Sequence, residues 1–179
     1  MVYIVLGTGF EEMEAVVPCD LLRRAGVDAK FVGIGGLEIL GSRNITVKAD
    51  CVETEAKWDE AEMIVLPGGL GGVASILGSE TVMDAVQKAY ADGRFVAAIC
   101  AAPTILAQLG YTDGKKATCC PGMEEEMGAA VMENCGFARD GKILTGRAAG
   151  SAFEFGLGLI EALCGTAVSE KIAAEVVYS

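Results

Sequence analysis

The chain has 179 residues, 52% of them apolar, with 14 basic and 25 acidic side chains and a formal net charge of −11. That length and apolar fraction suit one domain over residues 1–179 with a sizeable core, and they exclude a disordered chain. The negative balance excludes duplex nucleic acid and anionic membrane as partners, because both need a positive face.

No apolar run has the length that crosses a bilayer, and "MVYIVLGTGFEE" lacks the basic start and long apolar stretch of a secretory leader. A cytoplasmic protein is expected. There are seven cysteines, an odd number, and no C-x-x-C pair. A disulfide framework is not expected, and most of these cysteines read as small buried hydrophobes. The chain has no histidine. That removes any Cys-His or Ser-His nucleophile pair and the commonest metal ligand. No metal and no cofactor are expected.

In chain order, "VYIVLG" is a strand ended by glycine, and "EEMEAVVPCDLLRRAG" is a helix ending at Gly26. "VDAKFVGIG" is a strand. "LEILGSRNITVKADC" reads as two short strands around a Gly-Ser-Arg-Asn turn, an excursion at the sheet edge. "AEMIVLPGG" is a strand running into a glycine loop. "SETVMDAVQKAYADG" is an amphipathic helix with Ser79 as its N-cap. "RFVAAI" is a strand, "APTILAQLG" a helix, and "KKATC" and "GKILTG" are further strands. "SAFEFGLGLIEALCG" opens with Ser151 and Glu154 in capping-box spacing. Gly156 and Gly158 thin one face of that helix for close packing, and "AVSEKIAAEVV" is the last helix.

Strands that alternate with helices and are apolar throughout predict a mostly parallel sheet covered on both faces. Ligands of such sheets bind beyond the carboxyl ends of the strands. Three strand ends therefore matter: Gly7 to Glu14, Pro67 to Leu70, and Cys100.

Cys100 stands where an apolar strand turns into a helix, with Ala98 and Ala102 two residues to either side and Pro103 in the first helical turn. Only small side chains fit at those flanks when a strand turns sharply, the steric logic of a nucleophile elbow. A cysteine at a helix N-terminus is expected to ionise below its usual value of about 8.5. "LPGG" supplies Gly68 and Gly69, whose backbone N–H groups, with that of Ala101, form a candidate oxyanion hole. Glu11, Glu12 and Glu14 fall in the first turn of a helix, where two of the three need only complement the dipole. Pro18 removes the N–H that would bond the Glu14 carbonyl. A carboxyl there, in a partly apolar crevice, has a raised pKa. It can donate a hydrogen bond to a thiolate or act as a general acid/base.

Two other motifs lead elsewhere. "GTGFEE" lacks the third glycine of a dinucleotide fingerprint and puts acids where a pyrophosphate would sit. "MEEEMG" reads as the solvated first turn of a helix rather than a metal site.

Taken together, "EEMEAVVPCDLLRRAG", "GSRN", "VLPGG", "AAICAAP", "ILTGR" and "SAFEFGLGLIEAL" resemble the ThiJ/PfpI superfamily, in particular the branch of the parkinsonism-linked protein deglycase. The pieces run in order over residues 2 to 170. The resemblance implies an α/β flavodoxin-like three-layer sandwich that forms a homodimer. It places the reactive cysteine at Cys100, its glutamate partner at Glu14 and the oxyanion glycines at Gly68 and Gly69. It also implies arginines near the cysteine pocket across a dimer seam, at Arg24 and Arg43; Arg147 is a further candidate for positive charge there. Members are described as glutathione-independent glyoxalases that convert methylglyoxal to lactate, as deglycases of early glycation adducts, and as oxidation-sensing protective proteins. An older label is thiazole monophosphate biosynthesis. The expected partner is thus a small dicarbonyl, and the rival expectation is a non-catalytic oxidation sensor working through Cys100. This chain departs from the pattern in "ATCCPG". Cys120 stands where relatives carry a histidine before the proline. The departure counts against a triad mechanism and against peptide hydrolysis. Either Cys119 and Cys120 point to opposite sides of a strand end with no chemistry, or Cys120 resolves an oxidised Cys100 as a disulfide.

Overall fold

Val2, Ile4 and Leu6 point to one face of the first strand and Tyr3 and Val5 to the other, and all five are buried. This strand is therefore covered on both sides, which explains why its sequence is apolar without alternation. The same division holds for Met63 and Val65 against Ile64 and Leu66, and for Ala97 and Ile99 against Val96 and Ala98. The computed structural model describes residues 1–178.

The elements in order are β1 (Val2–Leu6), α1 (Glu12–Arg24), β2 (Ala29–Gly33), β3 (Glu38–Leu40), β4 (Thr46–Lys48), β5 (Cys51–Val52) and β6 (Met63–Leu66). Then come α2 (Leu70–Gly78), α3 (Glu80–Ala91), β7 (Phe95–Ile99), α4 (Pro103–Gln108), β8 (Lys116–Ala117) and β9 (Val131–Met132). The chain closes with β10 (Phe137–Asp140), β11 (Ile143–Gly146), α5 (Ala152–Cys164) and α6 (Thr166–Glu175). Among the described residues, seven strands form one sheet in the order β10-β11-β7-β6-β1-β2-β5. All neighbours in it are parallel except β10 and β11. Leu21 and Leu22 of α1, Phe155 and Leu159 of α5 and Ile172 of α6 cover one face; Val73 and Ile76 of α2, Val86 of α3 and Ile105 of α4 cover the other. This is the expected three-layer α/β sandwich.

Strands β3 and β4 pair antiparallel in a sheet of their own around the Gly41–Ile45 turn, the expected excursion. The hairpin is tied back to the β1–α1 loop: the Gly9 N–H donates to the Leu40 carbonyl at 2.8 Å and the Ser42 N–H to the Phe10 carbonyl at 2.8 Å. Ser79 caps α3, its Oγ accepting from the Val82 N–H at 3.3 Å.

Several local expectations need correction. Helix α2 was hidden in the sequence by its glycines, although Val73 and Ile76 keep helical spacing and are buried. The "KKATC" strand shrinks to Lys116–Ala117 and pairs with β9 outside the main sheet. Its continuation is diverted because the Thr118 N–H donates to Thr145 Oγ1 at 2.9 Å and the Thr118 hydroxyl to the Cys135 carbonyl at 3.0 Å. Strand β10 is an addition, folded back on β11 through Asp140-Gly141, a dipeptide that signals a hairpin. "MEEEMG" forms a 3-10 turn over Glu124–Met127 rather than an α-helical one. Ser151 makes no capping hydrogen bond, so the capping box is absent. A 3-10 turn over Ala149–Ser151 precedes α5 and leaves Ser151 at φ −101°, ψ 9°, not the extended conformation from which a cap reaches forward.

The thin face of α5 is occupied from within the chain. A Cβ on Gly156 would stand 2.7 Å from Leu21 Cδ1 and 3.1 Å from Pro18 Cα, so α1 packs directly on it, and Gly158 lies under the Phe137 ring. Gly156→Val is expected to lower stability by about 1–3 kcal/mol through overpacking. Urea unfolding reads this as a fall in the midpoint, and an unchanged midpoint contradicts the packing described.

Candidate active site

Because β7, β6 and β1 are adjacent, the loops that follow them converge: Gly7–Glu11 after β1, Pro67–Gly69 after β6, and Cys100–Ala102 after β7. The connections leave β1 toward β2 and β6 toward β7, so the order reverses between β1 and β6. Ligands of open parallel sheets bind at such a reversal. A cleft of about 530 Å³ lies there, lined by Glu11, Glu14, Arg43, Gly69, Cys100 and Ala101 among others. A groove of about 700 Å³ beside Trp58 and Lys88 is larger, but it has no cysteine in its lining and lies away from the three converging loops.

Cys100 has φ 66°, in the left-handed region that side chains with a Cβ avoid. Such a conformation costs on the order of 1–3 kcal/mol and persists only where neighbours fix it. Two hydrogen bonds do so. The Cys100 N–H donates to the Gly146 carbonyl of β11 at 2.9 Å, and the Cys100 carbonyl accepts from the Cys120 N–H at 2.7 Å. Ala98 and Ala102 are fully buried at the flanks, as the elbow requires. Among the described residues, no acceptor takes the N–H of Ala101 or of Gly69. Both border the cleft and remain available to an oxyanion.

Glu14 is fully buried in the first turn of α1. Its Oε2 accepts the Gly68 N–H at 2.8 Å, while Oε1 has no hydrogen-bond partner among the described residues. Burial pushes the carboxyl up to about 7; hydrogen bonds from Cys100 and Gly68 pull against that shift, and Glu11 adds to it. When Glu14 carries a proton, Oε1 is the oxygen left to hold it. Gly68 fits this contact because a Cβ there would stand 2.5 Å from Glu14 Oε2 and 2.8 Å from Cys100 Cβ. The Gly68 N–H is thus committed to Glu14, and Gly68 positions the carboxyl instead of joining the oxyanion hole.

The expectation of a lowered Cys100 pKa is corrected. Burial, the Glu14 carboxylate and the Cys120 thiol all push the Cys100 thiol up. The helix contributes little, because α4 begins only at Pro103 and is six residues long. Two acids in contact in a buried site titrate as a pair. Thiolate at Cys100 is favoured when Glu14 is the member that holds the proton.

The other acids of the α1 turn have structural roles. Glu12 accepts the Arg43 N–H at 2.7 Å and the Ser42 hydroxyl at 3.2 Å, and Glu11 accepts the same hydroxyl at 2.9 Å. Burial works against ionisation of Glu12, but the hairpin N–H groups and Ser42 outweigh it and hold the carboxyl below its ordinary value. Glu12 and Ser42 thereby hold Arg43 over the cleft, a role that nothing in the sequence signalled. Arg24 lies at the far end of α1, roughly 15 Å along the helix from Glu14. It pairs with Asp20 at 2.7 Å and Glu175 at 3.2 Å, outside the cleft of its own chain. Arg147 lines a separate small cavity with Thr118 and Cys119. Cys119 turns inward and is buried, whereas Cys120 lies beside Cys100.

The chain matches the DJ-1/PfpI family over residues 1–162. It is 35% identical to the protein dj-1beta of Drosophila melanogaster over 95% of this chain and 92% of that one. It is 34% identical to the Parkinson disease protein 7 homolog of Danio rerio over 97% and 95%. A deglycase of Pyrococcus abyssi is 30% identical over 70% of this chain and 75% of its own. Among solved structures, oxidized DJ-1 of Toxoplasma gondii superposes with a TM-score of 0.95 at 31% identity, covering 99% of this chain and 98% of that one. The chain, with its cysteine elbow and flavodoxin-like α/β fold, belongs to the DJ-1/PfpI family.

Proposed function

We propose that the protein is a cysteine-dependent, glutathione-independent enzyme acting on methylglyoxal-type dicarbonyls or their early glycation adducts. The observation that carries this reading is the buried Glu14 carboxyl, with one free oxygen, beside the thiol of a left-handed Cys100. Glu14 takes the thiol proton, and the Cys100 thiolate attacks the aldehyde carbon of methylglyoxal. The N–H groups of Gly69 and Ala101 hold the developing oxyanion. Glu14 returns the thiol proton to that oxyanion, which gives the neutral hemithioacetal and frees the carboxylate. The carboxylate then takes the proton from the former aldehyde carbon and delivers it to the neighbouring carbon, while the hydroxyl proton passes to the neighbouring oxygen; the hemithioacetal becomes a lactoyl thioester. Water opens the thioester, releasing lactate and the free thiol. A deglycase named among the relatives supports the same chemistry on adducts of these carbonyls.

The same reading includes a homodimer in the cytoplasm. Met13 and Val16 on α1 and Leu40 and Ile45 on the β3–β4 hairpin are exposed apolar side chains that a second copy would cover. Sedimentation is expected to give twice the 18.5 kDa chain mass, and a monomer contradicts it. A second reading, a non-catalytic oxidation sensor, is favoured by the Cys120 thiol beside Cys100.

The deciding assay is lactate formation from methylglyoxal without glutathione. Wild type is expected to turn over and Cys100→Ala to fall to background. Glu14→Gln is expected to lose about 10²–10⁴-fold, the usual worth of a general acid/base. Full turnover by Cys100→Ala contradicts the mechanism. No turnover by fully reduced wild type leaves the sensor.

A further inference from the structure

We propose that Cys120 is a resolving cysteine: a hydroperoxide oxidises Cys100 to the sulfenic acid, and Cys120 closes a Cys100–Cys120 disulfide that a dithiol reopens. The proposal rests on the reading of Cys100 as the reactive thiol and adds a redox site to it.

The backbone brings the two residues together. The Cys120 N–H donates to the Cys100 carbonyl at 2.7 Å, across 20 residues of sequence. On ordinary bond lengths a hydrogen bond of that length sets the two Cα atoms roughly 5–6 Å apart. A disulfide needs about 4.4–6.8 Å between Cα atoms, and this separation falls in that range. The Cys120 thiol is one of the groups that push the Cys100 thiol up. Both cysteines are half-buried, which leaves them open to a small oxidant. Cys119 is excluded as the resolver. It is buried, and its thiol donates to the Cys120 carbonyl at 3.4 Å.

The chemistry balances with groups in place. The Cys100 thiolate attacks one oxygen of the hydroperoxide. An S–O bond forms, the O–O bond breaks, and two electrons pass from sulfur to the peroxide. The departing alkoxide takes the proton held on Glu14 and leaves as the alcohol. The Cys120 sulfur then attacks the Cys100 sulfur. The S–S bond forms, the S–O bond breaks, and hydroxide leaves with the Cys120 proton as water. A dithiol reductant opens the bridge by exchange, becomes a cyclic disulfide itself, and returns both cysteines as thiols. Without a resolving thiol, further peroxide carries the sulfenic acid to the sulfinic acid, which dithiols do not reduce.

The test treats reduced, full-length protein with two equivalents of hydrogen peroxide per chain and reads it by non-reducing intact mass and peptide mapping. Wild type and Cys119→Ser are expected to lose two hydrogens, to yield a Cys100–Cys120 linked peptide, and to recover a free Cys100 thiol in dithiothreitol. Cys120→Ser is expected to gain two oxygens at Cys100 and to lose the dithiol-recoverable fraction. Sulfinic acid at Cys100 in wild type, at the rate seen in Cys120→Ser and with no linked peptide, overturns the proposal and leaves Cys100 as the reactive thiol. Oxidation elsewhere with Cys100 untouched overturns the proposal and the reactive-thiol reading together.

Discussion

One hydrogen bond organises the site: the Gly68 N–H to Glu14 Oε2 at 2.8 Å. It joins the loop after β6 to the first turn of α1, and it brings a carboxyl without solvent exposure against the Cys100 side chain. A buried carboxyl with one oxygen satisfied and the other unpartnered is costly to ionise. That cost raises Glu14 to about 7, close to neutrality. The sign of the linkage follows. Between the unfolded value near 4.5 and the folded value near 7 the native state binds the extra proton, so stability falls as pH climbs through that window. The native state tolerates this loss at the site where proton transfer is needed.

The second constraint is the backbone of Cys100. Its positive φ aims the thiol out of the sheet end and into the cleft instead of into the packed layer between β7 and α4. The strain is held by β11 through the Gly146 carbonyl and by the segment carrying Cys120. The latter contact also explains why a cysteine at position 120 matters chemically. The residue that fixes the elbow brings its own sulfur to the nucleophile.

Much of this could be read from residues alone. Apolar strands ending in "GTGF", "PGG" and "CAAP" place three loops at one edge of a parallel sheet, and small flanks plus Pro103 mark the elbow. Glu14 stood out through Pro18, although α1 continues through that proline without a break. The misses have physical causes. The thiol is raised rather than lowered because the ionisation of Cys100 depends on a neighbour 86 residues away in sequence and on burial, and the short α4 cannot outweigh them. The sequence offers Gly68 as an oxyanion donor because it does not tell which of two adjacent N–H groups is already engaged. In the sequence Glu12 looks like a dipole-complementing acid because the hairpin it pins is distant along the chain. Ser151 and Glu154 had capping-box spacing, but a preceding 3-10 turn changed the approach of the chain.

The account depends most on a proton shared between Cys100 and Glu14. The direct measurement is the rate of Cys100 alkylation by iodoacetamide against pH, followed at the Cys100 peptide, in wild type and Glu14→Gln. Wild type is predicted to rise through a first step near pH 7, as the pair loses its first proton, to a plateau, and to rise again in strongly alkaline solution. Glu14→Gln is predicted to lose the first step and the plateau and to ionise in one transition. Matching single-step profiles in the two proteins would contradict the shared proton and, with it, the role given to Glu14.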